Sequence, residues 1–278
     1  MTREERLGDV RTRFRDEALQ RGISPRDVDL LLSDLLGRPH AWLISHGDEP
    51  FDPERLTALL ERRFSGEPLQ YIRGRTEFYS REYLVDERVL IPRPETEILV
   101  ETVLGRARKG ARIVDVGTGS GCIAISLERE RRDLRVTGLD LSFDALVVAD
   151  INRRNLGSAV HLVASNLLTA IDAEIDIIVS NPPYIAASEI AALAPEVRLY
   201  EPRMALTPGP TGMEIIERIL SQARSRLPRH GLLVMEIGYG QEDSVRKAAE
   251  AETFVVDAVV PDLAGIDRVV VLSRRGSD

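Results

Sequence analysis

The chain has 278 residues, 43% of them hydrophobic, enough for one large domain or a large and a small one. Its 37 basic and 45 acidic residues give a net charge of -8, which argues against a general nucleic-acid binder but leaves room for a local basic patch. The single Cys122 excludes an intramolecular disulfide and suits a reducing compartment, and no apolar run approaches the roughly 20 residues that span a bilayer.

The N-terminus, Met1-Thr2-Arg3-Glu4-Glu5, has no apolar segment of the signal-peptide kind, so a cytoplasmic location is expected. Ser24 caps and Pro25 opens a helix whose apolar residues Val28, Leu31, Leu32 and Leu35 fall at helical spacing. Asp52-Pro53 starts another, with Leu56, Leu59, Leu60 and Phe64 on one face and Gly66 as its stop. These stripes predict a small bundle core without catalytic signal. The pattern then changes: Thr76 to Tyr79 and Glu82 to Val85 are short and rich in β-formers, which predicts a hairpin. Two prolines stiffen Leu90-Ile91-Pro92-Arg93-Pro94-Glu95-Thr96-Glu97. Pro94 is expected to open a helix, with Glu95 and Glu97 complementing its N-terminal dipole.

From Arg112 onward strands and helices alternate. The expected strands are Ile113 to Val116, Leu134 to Leu139, His161 to Ala164, Ile175 to Ser180, Gly231 to Ile237, Phe254 to Val259 and Arg268 to Leu272. This alternation predicts an α/β fold with a mainly parallel sheet. The four His residues are scattered, and with one Cys no structural zinc site, or other metal, is expected.

Asp115-Val116-Gly117-Thr118-Gly119-Ser120-Gly121 lies between a strand and a helix, where glycines allow a tight turn and close approach of the backbone to a ligand. A bare connection would read the same way. The turn lacks the G-K-[ST] of a phosphate-binding loop, and its glycines do not follow the G-x-G-x-x-G dinucleotide fingerprint. Asp140 closes the second strand, where a carboxylate can accept hydrogen bonds from ribose hydroxyls. A helix cap is the other reading, although Ser142 can supply that. Ser165-Asn166, after the third strand, is placed either to meet an adenine edge or simply to turn the chain.

The sharpest signal is Asn181-Pro182-Pro183-Tyr184, directly after the apolar run Ile175 to Ser180. Asn181 offers a side-chain carbonyl as acceptor. The prolines fix the backbone, so the Pro182 carbonyl can serve as a second acceptor. Tyr184 offers a face for a planar group. Two acceptors and one face suit an amide or amino group, at the sheet edge where open α/β sheets bind ligands.

Gly117 to Gly121, Asp140 and Asn181 to Tyr184 resemble the S-adenosylmethionine-dependent amino-methyltransferases. Four further segments resemble the PrmC/HemK family: Glu67-Pro68-Leu69-Gln70-Tyr71-Ile72, Phe78-Tyr79, Val89 to Glu97, and Glu236-Ile237-Gly238-Tyr239-Gly240-Gln241. Members of that family methylate a glutamine side-chain nitrogen in peptide-chain release factors. The resemblance implies a helical substrate-docking domain over 1–73, a β-hairpin linker over 74–92 and a seven-stranded, Rossmann-like methyltransferase domain over 93–278 whose last strand is antiparallel. It implies S-adenosylmethionine bound by Asp115, Gly117, Thr118, Gly119, Ser120, Gly121, Asp140, Asn166, Leu167 and Asn181. Catalysis would fall to Asn181, Pro182 and Tyr184, with Pro183 beside them in the substrate site. A monomer without stable nucleic-acid or membrane partners is expected. Three positions depart from the family's usual pattern: Asn166 stands where Asp is usual, Thr211 where an Asp precedes Gly212, and Ile266 where Arg is usual. The alternatives are a DNA, RNA or ribosomal-protein amino-methyltransferase, and a non-catalytic module that binds the same cofactor.

Overall fold

The computed structural model describes residues 4–274. They divide into two compact units: residues up to Gly74 together with Pro195–Tyr200, and Arg75–Ala194 together with the chain from Glu201 onward.

The first unit is helical, with α1 (Leu7–Gln20), α2 (Pro25–Leu36), α3 (His40–Ser45), α4 (Glu54–Phe64) and α5 (Leu69–Arg73). A short antiparallel pair, β1 (Glu5–Arg6) with β2 (Pro50–Phe51), joins it and left no sequence signal. The Ser24 hydroxyl caps α2 by accepting from the Arg26 N–H, as the Ser-Pro pair predicts. The expected stripes form the core: Val28, Leu31 and Leu32 of α2 and Leu56 and Leu60 of α4 are buried with Leu7, Val10 and Phe14 of α1. Arg63 ties the unit together, donating to Asp27 and to Glu196, each at 2.8 Å.

The second unit opens with the hairpin β3 (Arg75–Phe78) and β4 (Arg81–Leu84), each starting one residue earlier than the composition suggested. Its turn residues Tyr79 and Ser80 both have positive φ, at 49° and 56°. A two-residue turn with that geometry matches the twist of the strands, here without the usual Asn or Gly. Pro94 opens a single 3-10 turn, Pro94–Thr96, which leads into α6 (Glu97–Leu104).

The remaining strands are β5 (Arg112–Val116), β6 (Arg135–Asp140), β7 (His161–Ala164), β8 (Ile177–Ser180), β9 (Leu232–Glu236), β10 (Phe254–Pro261) and β11 (Asp267–Arg274). Between them run α7 (Cys122–Glu130), α8 (Phe143–Asn155), α9 (Pro195–Tyr200), α10 (Arg203–Leu206), α11 (Glu214–Arg226) and α12 (Glu242–Ala251). The seven strands form one sheet in the order β10-β11-β9-β8-β5-β6-β7. Five are parallel, and β11 runs antiparallel between β9 and β10. Alternate residues of the central strands feed two cores. Ile113, Ile177, Val179 and Val234 pack with α6 and α7, while Val114, Val116, Ile178 and Leu233 pack with α11 and α12. Burial on both faces explains why these strands read as continuous apolar runs.

Candidate active site

From β5 the chain passes outward to β6 and β7 on one side, and from β7 it crosses back to β8 and then β9 on the other, so the sheet's switch point lies between the ends of β5 and β8. Val116 pairs with Leu139 on one side and Ser180 on the other, so the three strands end nearly level. The glycine turn, Asp140 and Asn181 to Tyr184 lie at these three strand ends, and Ser165 to Leu167 follow the end of β7.

After β5 the chain turns at once into α7. The Gly117 and Thr118 N–H groups donate to the Leu139 carbonyl, each at 2.8 Å, and the Gly119 N–H donates to Asp140 Oδ2 at 2.8 Å. Gly117 and Gly119 lie in the left-handed region, with φ of 76° and 54°, and an added Cβ at either would meet nothing within 4 Å. Both line a cavity of about 310 Å³. The missing side chains thus leave room for a ligand against the backbone. Gly121 serves packing instead, since a Cβ there would come within 2.9 Å of Ile125 and 3.3 Å of Ala149. Thr118 and Ser120 are buried and do not line the cavity.

Asp140 lines the cavity, and each carboxylate oxygen accepts one backbone N–H, from Gly119 and from Ser142, both at 2.8 Å. Each oxygen keeps a lone pair for a ligand hydroxyl. Ser142, not Asp140, caps α8 by accepting from the Ala145 N–H. Asp115 is fully buried outside the cavity lining. Burial pushes its carboxyl up to about 7, against the pull of the Thr118 hydroxyl that donates to it at 2.7 Å. After β7, Asn166 and Leu167 both line the cavity. Asn166 Oδ1 accepts from Arg218 at 2.7 Å, and Leu167 has a φ of 56°, a costly value for a branched side chain.

Asn181, Pro182 and Pro183 line the same cavity at the end of β8. Asn181 Nδ2 donates to Thr96 Oγ1 at 3.1 Å, and Thr96 Oγ1 donates to Glu236 Oε2 at 2.7 Å. Tyr184 does not line the cavity. Its hydroxyl donates to Glu236 Oε1 at 3.2 Å, and its carbonyl accepts from the Gln241 side chain at 2.9 Å. Burial raises the Tyr184 hydroxyl well above its ordinary value, with the Glu236 carboxylate adding to the shift. A Cβ at Gly212 would collide with the Tyr184 carbonyl oxygen, so Gly212 is required for that close approach.

The structure therefore brings Gly117, Gly119, Asp140, Asn166, Leu167, Asn181, Pro182 and Pro183 to one cavity and leaves Asp115, Thr118, Ser120, Gly121 and Tyr184 out of its lining. Sequence reasoning assigned no role to Arg88, Leu141, Met204 or Arg218, which also line the cavity, or to Thr96 and Glu236 behind Asn181. The last two stand inside segments that carry the family resemblance, which was the available signal. The other two family departures are held through main chain and caps. Thr211 donates both its N–H and its hydroxyl to Glu214, and the Ile266 N–H donates to Asp262.

Residues 94–210 match the family model of the methyltransferase small domain, and residues 10–74 match that of the PrmC N-terminal domain. The chain is 42% identical over 256 residues to the release factor glutamine methyltransferase of Koribacter versatilis, covering 89% of this chain and 91% of the relative. It is 40% identical over 248 residues to that of Geobacter sulfurreducens, covering 88% and 87%. With that of Bordetella pertussis it shares 38% over 265 residues, covering 93% and 98%. Among solved structures, a methyltransferase from Pyrococcus furiosus is similar with a TM-score of 0.56 at 16% identity, covering 81% of this chain and 100% of that one. The ribosomal protein L11 methylase of Lactobacillus delbrueckii subsp. bulgaricus is similar with a TM-score of 0.51 at 24% identity, covering 68% and 82%. These two likenesses are of fold.

Proposed function

The chain belongs to the release factor glutamine methyltransferase family, and on that premise we propose that it methylates the side-chain amide nitrogen of a glutamine in peptide-chain release factors. It is an S-adenosylmethionine-dependent enzyme of the α/β methyltransferase class. The observation that carries the substrate reading is Asn181, held at the end of β8 and facing the cavity shared with Asp140 and the glycine turn.

The cavity suits this cofactor: two glycines leave backbone open to it, and Asp140 keeps acceptor capacity for two hydroxyls. We assign the adenosine end to Asp140, Asn166 and Leu167, and the rest to Gly117 and Gly119. When bound, S-adenosylmethionine supplies an electrophilic methyl carbon on its sulfonium. The chain's own work is to aim the nucleophile. An amide nitrogen is a weak nucleophile because its lone pair is delocalised. Asn181 Oδ1 and the Pro182 carbonyl accept its two hydrogens and turn the lone pair toward the methyl carbon. As the N–C bond formed, the sulfonium–methyl bond would break to leave a neutral thioether, and one amide hydrogen would then leave as a proton to water, so no strong base is needed. Such positioning supplies about 7–11 kcal/mol when alignment is good. Tyr184 serves by shaping the turn, its hydroxyl being committed to Glu236.

The N-terminal helical unit is assigned to docking the rest of the release factor. The enzyme is assigned to the cytoplasm as a monomer; among the described residues no helix is long and apolar enough to cross a membrane. The test is tritiated methyl transfer to a release factor, a ribosomal protein and duplex DNA in parallel. Label is expected in the release factor alone. Faster labelling of either competitor would overturn the substrate class.

A further inference from the structure

The two ends of an asparagine amide are nearly equal in shape and opposite in polarity, so something must decide which end meets the ligand. We propose that Thr96 and Glu236 are positioning residues that fix the polarity of the Asn181 amide, holding its Nδ2 inward so that its Oδ1 faces the acceptor glutamine. The proposal rests on the substrate reading above and deepens it.

Counting hydrogens sets the direction of the chain of bonds. Glu236, 2% exposed at the end of β9, accepts from Thr96 Oγ1 at 2.7 Å. An ionised carboxylate only accepts, so the single Thr96 hydroxyl hydrogen must point to it. Thr96 Oγ1 can then only accept from Asn181, whose Nδ2 lies 3.1 Å away. The amide oxygen is left for the cavity. The other Glu236 oxygen accepts from the Tyr184 hydroxyl at 3.2 Å, so one carboxylate orders both polar members of the tetrad.

Protonation reverses the relay. With a proton on Oε2, Glu236 donates to Thr96, the Thr96 hydrogen turns to Asn181, and the amide must offer Oδ1 inward. Nδ2 then faces the substrate, donor against donor. The groups that face Glu236 are Thr96 and Glu95 of the 3-10 turn, Tyr184 after β8, Arg268 of β11 and Cys122 at the start of α7. Burial raises the Glu236 carboxyl above the ordinary 4.5, opposed by the two hydroxyls and the Arg268 guanidinium. Activity is therefore present when the carboxyl is ionised and is lost as pH falls through this raised value.

The test compares Thr96→Val, Thr96→Ser and Glu236→Gln with wild type in the full chain. Thr96→Val is expected to lower kcat by at least ~10-fold, both relay bonds at Thr96 Oγ1 being removed at a distance from the reacting atoms. S-adenosylmethionine affinity should stay unchanged, and Thr96→Ser should restore the rate. The acid limb of kcat is expected in wild type and not in Glu236→Gln. The side-chain amide resonance of Asn181, identified by its loss in Asn181→Ala, should titrate with that limb in wild type and not in Glu236→Gln. A Thr96→Val enzyme as fast as wild type, a Thr96→Ser enzyme as slow as Thr96→Val, or an acid limb retained in Glu236→Gln would each overturn the relay. Failure of the wild type to label glutamine at all would instead overturn the substrate reading, while the resonance titration would still report on the relay.

Discussion

Asp115 and Asp140 stand at the ends of neighbouring strands and do different work because one faces the cavity and the other does not. On the proposed assignment, Asp140→Ala would remove a charged acceptor from two ribose hydroxyls, each such bond contributing about 1.5–3 kcal/mol. Calorimetry is expected to show S-adenosylmethionine affinity at least ~10-fold weaker; unchanged affinity would remove Asp140 from the site. Asp115 is a matter of stability. Its folded value of about 7 lies above the ordinary 3.8, so the folded state keeps a proton that the unfolded chain has lost. Stability from this group is full below 3.8 and is lost as pH rises through about 7. At about 1.4 kcal/mol per unit, a few kcal/mol are at stake. Urea unfolding between pH 5 and 8, on the cofactor-free protein, is expected to weaken wild type with rising pH more steeply than Asp115→Asn; equal slopes would exclude Asp115. Asn181, Pro182 and Pro183 stand next to one another in the chain, so their spacing could be read from sequence, and they line one cavity. Thr96 and Glu236 were not, because they lie 140 positions apart and only the fold joins them.

Apolar alternation and caps made the helices and strands visible, and turn chemistry set their ends. The hairpin shifted by one residue because Tyr79 and Ser80, not a Gly pair, adopt the left-handed turn. The segment between Tyr184 and α11 was the least legible. It is polar and proline-marked, and it holds two short helices, α9 and α10. Its fixed point is Glu201, 5% exposed, which accepts from the Ile91 N–H at 3.2 Å and from Arg93 at 2.5 Å. That anchor sets Pro202, Met204, Ala205 and Thr207 along the cavity wall. Arg93→Ala is expected to cost about 1–3 kcal/mol in urea unfolding, the scale of a charge-assisted hydrogen bond, and to raise KM for S-adenosylmethionine. A fully stable variant with unchanged KM would show that the pair does not hold the wall.

The chain's net charge of -8 fits an enzyme that recognises its acceptor by shape and hydrogen bonds rather than by phosphate neutralisation. A methyltransferase domain alone would accept any glutamine that reaches Asn181, so selectivity is assigned to the helical unit. That unit exposes Leu19 at 66% and Ile44 at 62%. Changing both to Asp is expected to raise KM for the intact release factor at least ~5-fold and leave KM for a short glycine-flanked glutamine peptide unchanged. Equal effects on both substrates would contradict the docking role. The structure divides the chain after Gly74, and the membership of Pro195–Tyr200 in the helical unit was not readable from sequence, because that helix lies far along the chain from its partners. Methyl transfer as described depends above all on Asn181 holding the acceptor amide. Single-turnover methyl transfer by Asn181→Ala, measured with S-adenosylmethionine affinity on the same preparation, decides it. Affinity within a few-fold of wild type with a rate at least ~100-fold lower is the expected result, and a rate near wild type would contradict it.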